Sequence, residues 1–223
     1  MANKLLIVVI VADILFLATG ILELAFSVVT QQRGNRDPAN GEDVIRDLVD
    51  QRLPLTPGII NGVFILASFV ATLPGLLMPT TRGWLKAAGY MVTVCGLFSL
   101  ILGVDLWLMT LKIGTNFGNV YVDLDSNQQE LVQTSFQCCG YTNSTWPPFV
   151  TDDTCPSPAA AALLNGCKTS VASFATILFG DMFTALFGMV GIDLLFIIAL
   201  ACLSKERKEQ IWYRNLDQKS APW

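Results

Sequence analysis

Four long apolar runs organise the chain: Leu5 to Val29, Ile59 to Met78, Trp84 to Leu111 and Ser173 to Leu203. Each supplies the roughly 20 helical residues that cross a hydrocarbon core about 30 Å thick, so the pattern predicts four membrane-spanning helices. Pro57-Gly58 and Met78-Pro79 mark the ends of the second run. The fourth is longer than a bilayer needs, and its first turns are expected to project as a stalk. The first carries Asp13 and Glu23, is too long for the apolar core of a signal peptide and lacks a small-x-small cleavage site, which predicts a retained anchor. The polar stretches have their own periodicity. Val44, Ile45, Leu48, Val49 and Leu53 make one apolar face of a helix over Gly41 to Leu53, capped by Asn40 and stopped at Pro54. This face is expected to pack under the larger loop domain or on the membrane surface. Leu124 to Phe136 predicts a second helix with Leu131, Val132 and Phe136 on its apolar side. Between Gly140 and Cys167 the chain is rich in Pro, Thr, Asn and Ser, with an alanine run at Ala159 to Ala162, and reads as a recognition loop.

Composition sharpens this picture. The 223 residues are 52% hydrophobic and 14% charged, too apolar for one soluble domain of this length. The chain has 0 histidines, which removes the commonest general base, proton shuttle and zinc ligand. No Gly-x-Ser-x-Gly, phosphate-binding loop or paired metal-ligand motif is present, so neither an enzyme nor a metal site nor a cofactor is expected. No basic cluster suits nucleic acid.

Lys4, Arg82, Lys86, Lys205, Arg207, Lys208, Arg214 and Lys219 fall on one side of an even-numbered topology, against six basic and ten acidic residues on the other. Basic residues in short loops stay inside, so both termini and the Met78 to Trp84 turn are expected in the cytoplasm. The resulting map is 1–29 as N-terminus and first span, 30–58 as a small outer loop, 59–78 as the second span and 79–83 as an inner turn. It continues with 84–111 as the third span, 112–172 as a large outer loop, 173–203 as the fourth span and 204–223 as an inner tail.

Small or polar residues recur every seven positions within the spans: Asp13, Gly20 and Ser27; Asn61, Ser68 and Gly75; Gly89, Gly96 and Gly103. Such stripes let helix backbones approach closely. The spans also hold the carboxylates Asp13, Glu23, Asp105, Asp181 and Asp193, with no basic residue inside to pair them. Counted from the span ends, Asp13 and Asp193 fall near the midplane at matching depth, and the other three toward the outer interface. Midplane acids mark hydrogen-bonding glue between helices, the lining of a sterol or phospholipid cavity, or an ion or proton pathway.

Cys138, Cys139, Cys155 and Cys167 all lie in the large loop. On the oxidising side of a membrane they are expected to form disulfides. A Cys138–Cys139 bond would be strained, which leaves two bridges running from the Cys-Cys-Gly turn to Cys155 and Cys167. A zinc site is disfavoured by the lack of Cys-x2-Cys pairs. Asn143-Ser144-Thr145 fits a glycosylation acceptor, Cys202 at an inner helix end is the palmitoylation candidate, and Tyr213-Arg214-Asn215-Leu216 fits a tyrosine-based sorting motif with Tyr213 and Leu216 filling pockets of an adaptor. The alternative for the tail is that Trp212 and Tyr213 anchor it at the membrane interface.

Four spans, a short first and larger second outer loop, Cys138-Cys139-Gly140, Cys155, and Gly166-Cys167 before the last span together resemble the tetraspanin family over nearly the whole chain. The resemblance implies the pairs Cys138–Cys167 and Cys139–Cys155, a helix bundle with a ligandable cavity, and lateral partners gathered in membrane microdomains. The short four-cysteine loop is similar to that of fungal tetraspanins of penetration structures, which implies a role in host penetration, with an NADPH-oxidase complex as partner. Two departures stand out: Cys202 alone sits at an inner helix end, and the polar residue of the first helix, often Asn in the family, is Asp13. The expected protein is therefore an all-α membrane scaffold with four transmembrane helices and a small disulfide-stapled, mainly helical extracellular domain. It would reside in the plasma membrane, endosome or vacuole and self-associate as a homo-oligomer. A small proton- or ion-coupled transporter is the competing expectation.

Overall fold

The structure, a computed structural model, describes residues 2–34, 37–77, 82–111, 113–144 and 148–220. Among these the architecture is all-helical: α1 (Ala2–Arg33), α2 (Gly41–Asp50), α3 (Leu55–Leu77), α4 (Arg82–Leu111), α5 (Ile113–Val122), α6 (Ser126–Phe136), α7 (Pro158–Ala161) and α8 (Lys168–Ser220). Helices α1, α3, α4 and α8 are each long and apolar enough to cross a membrane.

Three boundaries differ from the sequence pattern. Helix α3 starts at Leu55 rather than after Pro57-Gly58, because proline in a first turn gives up an N–H that has no helical partner there. Helix α8 runs 53 residues without a break, so the tail after Leu203 is helical and the stalk begins directly after Cys167. Helix α5 was not expected: Gly114, Asn116 and Gly118 are weak helix formers. The expected stop at Met78-Pro79 and most of the 79–83 turn lie outside the described residues.

The chain forms two compact units. The first comprises Met1–Ser27, Thr56–Leu102 and Ala185–Trp223. Here α1 and α3 run antiparallel in one register, with Asp13 on Thr72, Gly20 against Ile65 and Glu23 on Asn61. A Cβ on Gly20 would run into the Ile65 side chain, and one on Gly62 would lie 2.7 Å from the Leu24 side chain. The stripes on α1 and α3 therefore pack as expected. On α4 the stripe holds only in part: Gly96 lies against Asp193, whereas Gly89 has open space around it. Val9, Phe16, Ile65, Val92, Phe196 and Leu203 form the apolar core, with the Phe16 and Phe196 rings 5.2 Å apart. Pro74 lies inside α3 and leaves its final turns short of donors. Arg207 donates to the terminal carbonyls of Gly75 (2.5 Å) and Leu76 (3.0 Å), capping the end of α3, and Trp84 Nε1 adds a bond to the Ala71 carbonyl (2.6 Å) one turn earlier.

The second unit comprises Val28–Leu55 and Gly103–Thr184. Asn40 caps α2 by accepting from the Asp43 N–H (2.9 Å), and the helix ends at Asp50, three residues before the expected Leu53. Its buried side chains Val44, Ile45 and Val49 form the predicted face. Helix α2 docks on α6, where the Gly41 N–H donates to Ser135 Oγ (2.8 Å). A side chain at Gly41 would strike the Leu131 carbonyl and Ser135, so the docking requires glycine.

Candidate functional site

In the second unit, adjacent cysteines start two bridges, Cys138–Cys167 and Cys139–Cys155. All four cysteines are buried. Gly140 takes φ 68°, a left-handed conformation that glycine adopts without strain. Its carbonyl accepts from the Cys167 N–H (2.9 Å), so the turn is held by backbone as well as sulfur.

Gln133 completes this frame. Its side chain is fully buried and uses both ends: Nε2 donates to the Val150 carbonyl and to Asp152 Oδ2 (2.8 Å each), while Oε1 accepts from the N–H groups of Val150 (3.2 Å) and Gly140 (3.3 Å). The buried face of α6 is thus Val132 and Gln133. The expected Leu131 and Phe136 are only half-buried, and Phe136 packs edge-on against Phe174 at 5.8 Å. Nothing in the local pattern marks Gln133; its partners lie seven to nineteen residues downstream.

Next to this frame the Tyr121 and Tyr141 rings tilt against each other at 5.2 Å. Burial pushes the Tyr141 hydroxyl up to about 12. Tyr121 is pushed up further, by burial first and then by the negative charge of Asp152. Beyond the frame, Leu163 and Leu164 are exposed, Leu163 at 88%. A groove of about 450 Å³ opens over Val44, Leu48 and Leu124, and its charged lining is wholly acidic: Asp37, Asp47 and Asp123.

In the first unit the polar positions of the stripes face inward. Thr72 Oγ1 donates to Asp13 at 2.9 and 3.0 Å, and Ser68 Oγ lies 3.4 Å from Cys95 Sγ. Asn61 Nδ2 contacts Glu23 at 3.0 and 3.2 Å and Ser99 Oγ at 2.8 Å. Asp193 is 1% exposed, and neither of its oxygens has a hydrogen-bond partner among the described residues. The Ser99 hydroxyl lies close enough to Asp193 to favour its charged form, and the same hydroxyl meets the Cys95 carbonyl at 3.1 Å.

The matching depth expected for Asp13 and Asp193 does not hold. Phe16 is level with Phe196; in antiparallel helices, stepping back three residues from each moves the two acids apart, by about 9 Å at 1.5 Å per residue. The carboxylate whose charge reaches Asp193 is Glu23 instead. Glu23, expected near water, is 6% exposed, whereas Asp105 and Asp181 are exposed.

Comparison with family models, with curated proteins and with solved structures finds no match to this chain.

The remaining expected sites are scattered. Asn143 is exposed, while Thr145 of the same acceptor triplet lies outside the described residues. Cys202 is a free, exposed thiol. Tyr213 and Leu216 are exposed at 60% and 44%, but they stand on the continuous helix α8. The extended segment that a pocket-filling sorting motif requires is not formed. Among the described residues, no group of three His, Cys, Asp or Glu side chains is placed to hold a metal ion.

Proposed function

We propose that this chain is a tetraspanin-like membrane scaffold. It gathers lateral partners and signalling complexes in membrane microdomains, with the cysteine-bearing loop on the outer face and both termini inside. The observation that carries the reading is the bridged frame. Two disulfides from one Cys-Cys-Gly turn, with Gln133 bonded across it, hold the exposed Leu163 and Leu164 in place, in a chain that also has four membrane-length helices. That is the construction of a presented recognition loop: a rigid base and a variable tip. The bare apolar side chains along the long helices, such as Ile7, Val63, Val94, Ile101 and Ile198, suit lipid contact.

Within this reading the protein resides in the plasma membrane, endosome or vacuole. Asn143 is its glycan acceptor, Cys202 its acylation site, and a sterol or phospholipid sits among the helices near Asp13 and Asp193. Tyr213 and Leu216 act as a sorting signal when the tail helix unwinds. Host penetration by a fungus, with an NADPH-oxidase complex as partner, and homo-oligomer formation are the finer proposals. Cross-linking in a mild detergent followed by mass spectrometry tests the scaffold. Replacing the exposed Leu163 and Leu164 with serine, which leaves both bridges and the Gln133 contacts in place, should remove specific partners while surface delivery continues, and an unchanged partner set would refute the reading. The partnerless carboxylate of Asp193 supports a second reading, a small proton- or ion-coupled transporter. Reconstituted vesicles decide it: a scaffold produces no flux that depends on pH or potential.

A further inference from the structure

The polar cluster between α1, α3, α4 and α8 keeps buried acceptors without a hydrogen-bond partner among the described residues. Asn61 Nδ2 has two hydrogens and three acceptors around it, Glu23 Oε1, Glu23 Oε2 and Ser99 Oγ. The Ser99 hydroxyl also meets the Cys95 carbonyl. Left over are Asn61 Oδ1 and both oxygens of Asp193, all buried and all without a donor among the described residues. Asn61 is 0% exposed and Asp193 1%. The Asp193 side chain lies against bare backbone: a Cβ on Gly96 would stand 3.3 Å from Asp193 Cβ and 3.7 Å from Oδ2.

The charged and titratable groups facing this point are few. Helix α1 presents Glu23 and α4 presents Cys95. Helix α3 has no charged residue between Leu55 and Leu77. Lys86 lies ten residues from Gly96 and Lys205 twelve from Asp193, about 15 and 18 Å along their helices. Arg207 is committed to the end of α3. An isolated buried carboxylate costs several kcal/mol or more unless it is neutralised, and no side chain here neutralises it.

We propose that Asp193, with Ser99 and Asn61, forms a site for one exchangeable small cation, Na⁺ or a proton, inside the helical unit. Glu23 is already engaged by Asn61 Nδ2, so the carboxylate left to be balanced is that of Asp193, one negative charge beside neutral amide and hydroxyl oxygens. Among the described residues no group of three His, Cys, Asp or Glu side chains is gathered here, which argues against a divalent ion, since that takes several charged oxygen ligands. Asp13 differs because the Thr72 hydroxyl, which also meets the Phe69 carbonyl at 2.7 Å, lies 2.9 and 3.0 Å from its oxygens. The proposal concerns the helical unit alone and does not depend on the scaffold reading.

The test uses the full chain in detergent, with N,N′-dicyclohexylcarbodiimide as probe. This reagent adds to a protonated carboxyl in apolar surroundings, and peptide mass spectrometry locates the adduct. Thermal unfolding is measured alongside, in NaCl and in choline chloride at equal ionic strength. A sodium site gives Asp193 labelling that is lost in NaCl but kept in choline chloride, and an unfolding temperature higher in sodium. A proton site gives labelling indifferent to the salt and lost as pH rises. Asp193→Asn removes both effects, Ser99→Ala removes the sodium protection while keeping the label, and Asp13→Asn changes neither. If Asp193→Asn does not fold, Ser99→Ala and the labelled parent still decide the matter. Asp193 unlabelled at every pH together with equal stability in the two salts overturns the proposal. Labelling that ignores both salt and pH, or a sodium effect that survives Asp193→Asn, overturns it as well.

Discussion

Each unit buries one large polar side chain almost completely, Gln133 in one and Asp193 in the other, and the two are matched in opposite ways. In the cysteine-bearing unit, Gln133 is fully buried and every end of its amide is matched, with two acceptors for its nitrogen and two donors for its oxygen. In the first unit, Asp193 is almost as deeply buried and neither carboxylate oxygen has a hydrogen-bond partner of good geometry among the described residues. A satisfied buried network specifies one arrangement, whereas an unsatisfied one is costly until something arrives to complete it. The first kind of burial suits a frame. The second suits a site.

The largest effect should come from cutting the frame. Cys139→Ser or Cys155→Ser opens a bridge spanning 16 residues, and loss of a native bridge in a small domain costs about 2–5 kcal/mol. Both variants should misfold around the loop and stay in the endoplasmic reticulum. Normal surface delivery with an unchanged protease pattern would show that the bridges are ornamental. Next comes Gln133→Leu, which keeps the bridges and strands the N–H groups of Val150 and Gly140. At about 1–3 kcal/mol per stranded buried group, the loss should total on the order of 3 kcal/mol. Hydrogen exchange on the intact protein should show faster exchange in Gly140 and Val150 and no change in α3. Protection as in the parent would mean that the disulfides alone hold the frame.

A change in the helical unit should matter less. Thr72→Val removes the donor to Asp13, and hydrogen bonds between membrane helices average about 0.6 kcal/mol in double-mutant cycles. The unfolding midpoint in detergent should fall only slightly; a loss as large as that for Gln133→Leu would erase the contrast between the units. The smallest effect concerns Asp50, which burial and the nearby Asp47 push up to about 6, against the opposing pull of Arg46 and Arg33. The folded state then holds its proton more tightly than the unfolded chain, whose carboxyl titrates near 3.8. Between those values stability should therefore rise as pH falls, and at neutral pH the ionised Asp50 is a liability. Protection factors of α2, corrected for the intrinsic pH dependence of amide exchange, should rise toward the acid end of that window in the parent and stay flat in Asp50→Asn.

Much of the frame was legible because its signals are local. Asn40 followed by apolar residues at helical spacing marks α2, and the paired cysteines in one polar loop announce covalent staples. Gln133 was not legible, since a glutamine on an amphipathic helix looks like a solvent-facing residue until the chain folds back over it. The tail helix was missed because charged residues such as Lys205, Glu206, Lys208 and Glu209 read as a solvated end, although their propensities favour helix. The carboxylates were found, yet their pairing was misjudged. Counting residues from a span's end gives depth in a bilayer, but which acids meet depends on the register between helices, and contacts such as Phe16 with Phe196 set that.

The adjacency of Cys138 and Cys139 has a consequence for covalent topology. Their bridges reach 29 and 16 residues ahead and so enclose two nested rings that begin at one point. Any single backbone cut between residues 140 and 166 leaves both pieces chained together, by two links when the cut precedes Cys155 and by one when it follows. Nicked protein should migrate as one species on a gel until a reductant is added, and only then part into two fragments. The bridged segment can thus be severed without being shed, so cleavage within it changes its shape but does not release it from the rest of the chain.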